Sequence, residues 1–402
     1  MNVLIVGQHT YNFGDDIAGL ALLQRLVSID EVGHIDVMYR FPGSHLPILD
    51  SKITHITEFV PEFNIINHAG SISDLLYFTR YSILKKISLN KLQVEKRSKL
   101  VKTIKKADLV IVAPLGASIG SYVDRTLLYT LLICSSLNKS ILFHLDTIND
   151  SKKFVFNFIA EQILRQSNVF VREKQSVRYL KMRGIDSSFG IDTAFMFKNE
   201  IQYNEHNYNT LLLSDISSWH INYKKYRWEV NDYIKIIVKP FADFSIANGK
   251  RVCILKHAEI DNDFLKKITC YLQDNYVGNI IDNSDIDSPY LYDAIIQNSN
   301  FVVTSRYHGV ILSEKYSVPF YALAYDSKTV EACEYAGCND SYDWIENVMN
   351  DDHYFLSRLE MINKNYKKIE QKLNTFNTSN IKKTVYNPTE FIKKIQNEND
   401  NK

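Results

Sequence analysis

The feature that most constrains the fold is an alternation of short apolar runs with longer segments whose apolar residues recur at helical spacing. Residues 3–6 and 109–113 are apolar throughout, whereas residues 17–27 carry apolar side chains at the period of a helix. Strands that helices cover on both faces have this continuous apolar character. The alternation therefore predicts an α/β fold with parallel sheets.

The alternation runs twice along the chain, and a polar stretch at residues 199–209 separates the two runs. Strands of the first run are predicted at residues 3–6, 35–39, 109–113, 141–143 and 169–171. Strands of the second run are predicted at residues 211–214, 252–255, 279–281, 301–304 and 319–325. Two Rossmann-like domains are expected, at residues 1–198 and 199–385, with a polar tail at 386–402 and a ligand cleft between the domains.

Composition restricts the class of protein. The chain has 402 residues with 47 basic and 46 acidic side chains, and nothing beyond one basic segment favours nucleic acid as a partner. Five cysteines form no CxxC pair, which favours free thiols in a reducing compartment and gives no structural metal site. Without a signal-like start or an apolar run of about 18 residues, the expected location is cytoplasmic.

The turn after the first predicted strand contains Asn12, Gly14, Asp15 and Asp16. Gly14 is expected to permit a tight turn, and the two aspartates suit the first turn of a helix. Two interpretations stay open. The residues cap the helix and nothing more, or Asn12 and the aspartates also bind sugar hydroxyls. The turn has no GxGxxG or P-loop motif, which disfavours a dinucleotide or P-loop nucleotide.

Arg172 leaves a predicted buried strand where a helix begins. A guanidinium in this position can bind a carboxylate or a phosphate with two hydrogen bonds, or it can pair with Glu173 or another nearby acid. Asp192 follows a further apolar run in a similar position. Both are candidate substrate-binding residues.

The segment Ser305-Arg306-Tyr307-His308-Gly309 is the most informative, because it joins an apolar strand to a predicted helix at residues 310–315. Backbone N–H groups, the helix dipole and the Arg306 cation favour an anion there. His308 is the group in this turn that can exchange protons near neutral pH. Lys328 follows the next strand and is expected nearby.

These ordered motifs, from Asn12 to Lys328, resemble those of the polysaccharide pyruvyltransferase family. The resemblance implies a glycosyltransferase-B-like fold and transfer of a pyruvyl group from phosphoenolpyruvate to a sugar of a cell-surface glycan or its lipid-linked precursor, as a ketal. It implies that Arg172 and Arg306 bind the donor anion and that His308 is catalytic, and we expect Arg306 to be catalytic together with His308. Lys328, Ser305 and Gly309 would assist at the donor site, and no cofactor or metal is expected.

Two other functions remain open at this point. One is a glycosyltransferase with a nucleotide-sugar donor, and the other is a non-catalytic glycan-assembly protein. Separately, residues 75–106 join aromatic side chains to a lysine-rich stretch. This segment either contacts the inner face of an anionic membrane or is an ordinary solvated helix.

Overall fold

The computed structural model describes residues 1–41, 43, 45–57, 98–219, 226–351, 353–379 and 388–400. They divide into two compact units. Unit 1 contains Met1–Thr10, Ala18–Met196 and the C-terminal helix. Unit 2 contains Tyr11–Ile17 and the described residues between Phe197 and the C-terminal helix. The start of the first helix thus belongs to unit 2.

Unit 1 is built on a seven-stranded parallel sheet with the order β3-β2-β1-β4-β5-β6-β7. Its strands are β1 Asn2–Gln8, β2 His34–Tyr39, β3 Ile53–Ile56, β4 Leu109–Val112, β5 Ser140–Asp146, β6 Asn168–Val171 and β7 Ser188–Phe189. Its helices are α1 Phe13–Val27, which begins in unit 2, α2 Ser98–Lys106, α3 Arg125–Ser136, α4 Phe154–Leu164, α5 Lys174–Met182 and α16 Thr389–Asp400. A 3₁₀ turn at Thr193–Met196 follows β7, and the chain enters unit 2 after it.

Unit 2 repeats the arrangement on a six-stranded parallel sheet with the order β10-β9-β8-β11-β12-β13. Its strands are β8 Tyr208–Leu212, β9 Arg251–Leu255, β10 Ile280–Asn283, β11 Phe301–Thr304, β12 Phe320–Ala324 and β13 Tyr342–Trp344. Its first helices are α6 Ile216–Trp219, α7 Val230–Tyr233, α8 Lys239–Ala247, α9 Asn262–Asn275 and α10 Pro289–Gln297, with a π turn at Ile234–Val238 between α7 and α8. The later ones are α11 Tyr307–Tyr316, α12 Ser327–Tyr335, α13 Ile345–Met349, α14 Tyr354–Lys364 and α15 Tyr366–Ser379.

The predicted α/β class with two parallel sheets is confirmed, and each predicted strand overlaps an observed one. The prediction missed three edge strands and misplaced the starts of two helices and one strand. The short edge strands β3, β7 and β13 lacked a signal. Helices α1 and α11 begin four and three residues earlier than predicted, which places Gly14 and His308 inside helices rather than in the turns before them. Strand β8 begins within the polar stretch at 199–209.

In each sheet the chain adds strands from the first strand outward to one edge and then crosses back to add strands outward to the other edge. The switch point is the boundary between these two sets of strands. This switch point lies between β1 and β4 in unit 1 and between β8 and β11 in unit 2. Ligands of open parallel sheets bind outside the carboxyl ends of the strands at such points. The segment Ser305–Gly309 follows β11 directly, so the fold puts it at the switch point of unit 2.

Helix α2 is the described part of the lysine-rich segment at 75–106, and residues 75–97 lie outside the described residues. Leu100 and Ile104 are buried, while the four lysines of α2 are exposed. An exposed basic face of this kind fits both a solvated helix and a membrane-contacting one, so the membrane contact stays a prediction. Within the described ranges, no helix is long and apolar enough to span a bilayer, and no group of three or more His, Cys, Asp or Glu side chains is placed to hold a metal ion.

Glu314 is a carboxyl group in the last turn of α11, and its side chain is fully buried. Burial raises its pKa well above the ordinary value of 4.5. The folded state therefore holds this proton over a pH range in which the unfolded chain releases it. By linkage, the contribution of Glu314 to stability falls as pH rises from about 4.5 toward the raised pKa.

We expect Glu314→Gln to gain stability relative to the wild type as pH rises from 4.5 to 8, because glutamine has no proton to lose. The gain is at most about 1.4 kcal/mol per pH unit. Urea unfolding across this pH range measures it. The exposed Glu360→Gln serves as the matched control, and parallel stability curves for Glu314→Gln and the wild type would contradict the assignment.

Candidate active site

Ser305 ties together the ends of the two strands at the switch point of unit 2. Its backbone N–H donates to the carbonyl of Leu212, at 3.0 Å, and its hydroxyl accepts from the backbone N–H of Ser214, at 2.9 Å. Ser305 is fully buried. These bonds fix the backbone of the turn before any ligand is present.

Helix α11 starts immediately after this turn and packs closely on the sheet. Arg306 is its N-cap residue, and the hydroxyl of Thr304 accepts from the backbone N–H of Arg306 at 2.9 Å. A Cβ atom on Gly309 would lie 2.3 Å from the Thr304 hydroxyl and 2.7 Å from Leu212. Packing of the helix against β8 and β11 therefore accounts for the glycine at 309.

His308 lies against the first turn of α1. A Cβ atom on Gly14 would be 1.9 Å from Nδ1 of His308 and 2.7 Å from its Cβ, a distance that no real side chain can occupy. Asn12 caps this helix, because its side-chain oxygen accepts from the N–H groups of Gly14 and Asp15 at 3.0 and 3.4 Å. Gly14 thus permits a close approach rather than the tight turn predicted for it.

The loop after β9 holds the start of α1 in this position. The backbone N–H of Phe13 donates to the carbonyl of His257 at 3.0 Å, and Asn12 forms an isolated antiparallel bridge with Ala258. One residue earlier, the carbonyl of Tyr11 accepts from the N–H of Glu259 at 3.3 Å. The Asn12 motif is therefore bonded by its backbone to the carboxyl end of β9.

Arg306 forms an ion pair with Asp261, which follows the same loop. Each side chain is only 2% exposed. Burial opposes the charged form of Arg306, but Asp261, together with Tyr325 and Tyr292, raises the pKa of the guanidinium, which therefore stays protonated. Lys328 adds a second cation, with Nζ 5.9 Å from the ring centre of Tyr307 and 3.4 Å from Asp326.

His257 is a second histidine beside His308, with ring centres 6.3 Å apart and ring planes within 22° of each other. Its Nδ1 lies 2.8 Å from the hydroxyl of Tyr292. Burial lowers the pKa of His257 well below its ordinary value, and the nearby positive charges of Arg306, His308 and Lys328 lower it further. His257 is therefore neutral at physiological pH.

Asp15 and Asp16 occupy the first turn of α1, where carboxylates suit the helix dipole. Asp15 is half-buried, and Asp16 is 8% exposed. Burial, and then the charge of Asp15, raise the pKa of Asp16 well above its ordinary value. The capping interpretation accounts for Asn12, and the sugar-binding role of these three residues stays a prediction.

Arg172 and Asp192 form a separate buried ion pair in unit 1, with 2.6 Å between Nη1 and Oδ2. Nη2 of Arg172 donates to the carbonyl of Leu115 at 3.1 Å, and the N–H of Leu115 donates to Asp146 at 3.2 Å. Burial raises the pKa of Asp146 well above its ordinary value, and burial lowers that of the neighbouring His144 to about 3. Arg172 is thus ion-paired inside the unit, and its binding of a ligand anion stays a prediction.

The structure brings together most of the residues selected from sequence in unit 2: Asn12, Ser305, Arg306, His308, Gly309 and Lys328. It pairs Arg172 with Asp192 in unit 1. Sequence reasoning missed His257, Asp261, Tyr292 and also Lys256, whose Nζ lies 5.9 Å from the ring centre of Phe13 at the start of α1. Lys256 and His257 did carry a signal, because they follow the apolar run 252–255 as Arg306 follows 301–304. Asp261 and Tyr292 had none, since tertiary packing alone brings them to the site.

The two Rossmann-like units define a glycosyltransferase-B-like fold, and solved structures share it. A UDP-GlcNAc 2-epimerase from Neisseria meningitidis, bound to UDP-GlcNAc, has a TM-score of 0.59 at 10% identity, covering 99% of this chain and 100% of that one. A putative UDP-N-acetylglucosamine 2-epimerase from Listeria monocytogenes has a TM-score of 0.58 at 11% identity, covering 97% and 93%. A glycosyltransferase from Rickettsia africae has a TM-score of 0.54 at 13% identity, covering 98% of each. At these identities the likeness concerns the fold alone.

Residues 12–327 match the family model described as polysaccharide pyruvyl transferase. This match covers well over half of the chain, and the protein belongs to that family. The matched range begins at Asn12 and ends at Ser327, so it takes in the motifs that suggested the resemblance apart from Lys328, which is the next residue. Comparison with curated protein sequences gives no match.

The contact between Gly14 and His308 can be tested by a double-mutant cycle. We expect Gly14→Ala to destabilise the protein by about 1–3 kcal/mol through overpacking, although alanine favours helix over glycine by about 1 kcal/mol. In a His308→Gly background no side-chain atom remains to clash, whereas alanine would keep the Cβ atom 2.7 Å away, so Gly14→Ala should be neutral or stabilising there. Urea unfolding of the four proteins measures the cycle, and an equal cost in both backgrounds would refute the contact.

Proposed function

We propose that the protein transfers a pyruvyl group from phosphoenolpyruvate to a sugar of a cell-surface polysaccharide or its lipid-linked precursor, forming a pyruvate ketal. The observation that carries this proposal is the cluster of Arg306, His308 and Lys328 at the switch point of unit 2. Family membership supports a pyruvyl transfer, and the cluster supplies the groups that such a donor needs.

Phosphoenolpyruvate makes three chemical demands. Its phosphate and carboxylate need cations and N–H donors, which Arg306, Lys328 and the start of α11 provide. Its methylene carbon must receive a proton. His308 is the group we assign to this transfer, because an imidazole exchanges protons near neutral pH and His308 lies on the same helical turn as the anion groups.

The reaction is proposed in two additions at the central carbon of the donor. A proton adds to the methylene carbon, which becomes a methyl group, and one sugar hydroxyl bonds to the electrophilic central carbon and gives up its proton. Phosphate then leaves with its electron pair, and a second hydroxyl of the same sugar takes its place. The second proton leaves with the phosphate. Fixed cations stabilise the negative charge that develops on the departing phosphate.

Arg172 is assigned to the donor anion by family resemblance, and we retain this as a proposal for unit 1. Its bonds to Asp192 and to the Leu115 carbonyl hold the guanidinium in a fixed direction, as a binding group for an anion requires. We likewise propose that Asn12, Asp15 and Asp16 contribute to binding of the sugar. We propose a cytoplasmic location, which the five free thiols support.

The assay for the function follows phosphate release and the mass of the sugar product. Purified protein is incubated with phosphoenolpyruvate and a panel of unprotected nitrophenyl glycosides, and a parallel set receives UDP-GlcNAc. Phosphate release together with a sugar product that has gained pyruvate minus water supports the proposal. Release of UDP, with no use of phosphoenolpyruvate, would instead support a nucleotide-sugar donor.

His308→Asn is expected to slow ketal formation by about 10²–10⁴-fold, the usual effect of removing a general acid–base group. Circular dichroism should show that the variant is folded. The exposed His353→Asn in the same unit is the matched control and should keep the wild-type rate. Turnover of His308→Asn within a few-fold of the wild type would exclude proton transfer by His308.

Arg306→Lys and Arg172→Lys should each raise the donor KM by about tenfold or more, because a lysine cannot keep its acidic partner and also present a planar fork to an anion. Arg358→Lys is the control, since Arg358 pairs with Asp343 and has no proposed role in binding. Steady-state kinetics with varied phosphoenolpyruvate measures the effect. Whichever variant keeps the wild-type KM identifies an arginine that does not bind the donor.

A further inference from the structure

The pair formed by His257 and Tyr292 is not used by the mechanism above, yet it lies beside its central groups. Tyr292 is fully buried in α10, and His257 is 2% exposed in the loop after β9. The His257 ring faces that of His308. Its electrostatic neighbours are Arg306, His308 and Lys328, which are the three groups assigned to the donor.

The hydrogen bond to Tyr292 determines which ring nitrogen of His257 carries the proton. Burial raises the pKa of Tyr292 well above its ordinary value, so the phenol keeps its hydrogen. His257 Nδ1 is the one hydrogen-bond partner of this hydroxyl in the described part of the chain. A buried hydroxyl hydrogen requires an acceptor, and therefore Tyr292 donates to Nδ1. The proton of a neutral His257 must then be on Nε2.

Nε2 lies on the side of the imidazole ring away from Nδ1, and it forms no hydrogen bond to any residue that the structure describes. We propose that His257 is a further donor-binding residue, whose Nε2–H donates a hydrogen bond to the anion held by Arg306 and Lys328. This inference rests on the proposed function for the identity of the anion. A neutral donor adds a directed hydrogen bond without adding a further positive charge beside Arg306 and Lys328.

Two amide substitutions separate this role from a structural one. Glutamine can place an N–H group near the position of Nε2, and asparagine can place an acceptor near that of Nδ1. Binding of inorganic phosphate and of phosphoenolpyruvate is measured by calorimetry. We expect His257→Gln to bind within about threefold of the wild type and His257→Asn to bind about 10- to 100-fold more weakly, the change expected for one hydrogen bond to a charged group.

The opposite order, with asparagine tolerated and glutamine not, would show that the bond to Tyr292 is what matters and would overturn the proposal. Equal binding by both variants and the wild type would also overturn it, as would a wild type that binds neither anion. A wild type that binds phosphate but forms no ketal contradicts the proposed function instead, and the comparison of glutamine with asparagine still decides the role of His257.

A measurement on the wild type guards against variants that do not fold. Nitrogen-15 spectra of histidine-labelled protein report which ring nitrogen carries the proton. The His257 signals are assigned by their loss in a folded His257 variant. Tyr292→Phe, which changes the neighbour of His257, should shift the same signals. We expect a protonated Nε2 that shifts when phosphate is added. A protonated Nδ1, or an Nε2 signal that phosphate leaves unchanged, would refute the proposal.

Discussion

The close contact between Gly14 and His308 is the constraint on which the arrangement of unit 2 depends. It is possible because position 14 has no side chain, and it is maintained by backbone bonds from the loop after β9 to Tyr11 and Phe13. Since backbone bonds do not depend on side-chain rotamers, the imidazole meets a fixed surface. A side chain held in this way has little conformational freedom left to lose if a ligand binds beside it.

Buried arginines need an equally specific solution. A guanidinium inside a protein is tolerated only with an acid and further hydrogen bonds around it, and removing one partner of such a pair is far more costly than the pair is stabilising. Arg306 has Asp261, and Arg172 has Asp192. In both cases the acid comes from a different loop, so the ion pair also fixes the backbone segment that carries it. Each guanidinium therefore keeps its positive charge, but the orientation of the group is restricted.

Sequence patterns predicted the two parallel sheets because buried strands are apolar along their whole length, and this property needs no tertiary information. Arg172, Arg306 and Lys328 were selected by the same logic, since each lies within four residues of the end of such a strand. Edge strands such as β7, with two exposed residues, leave no comparable trace. Asp261 and Tyr292 could not be found, because their roles arise from side chains that meet only after the chain has folded.

The two units use different residues to solve one problem, which is to fix the backbone turn at the switch point. In unit 2 the hydroxyl and the N–H of Ser305 bind the ends of β8 and β11 directly. In unit 1 the turn after β4 is held at Leu115, whose N–H donates to Asp146 and whose carbonyl accepts from Arg172. Arg172 therefore influences the turn at Pro114–Gly120 whether or not it contacts a ligand. A substitution of Arg172 therefore changes both the charge beside this turn and the shape of the turn. Loss of Asp146 removes a bond to the turn but leaves Arg172 in place, so comparing it with Arg172→Lys separates the two effects.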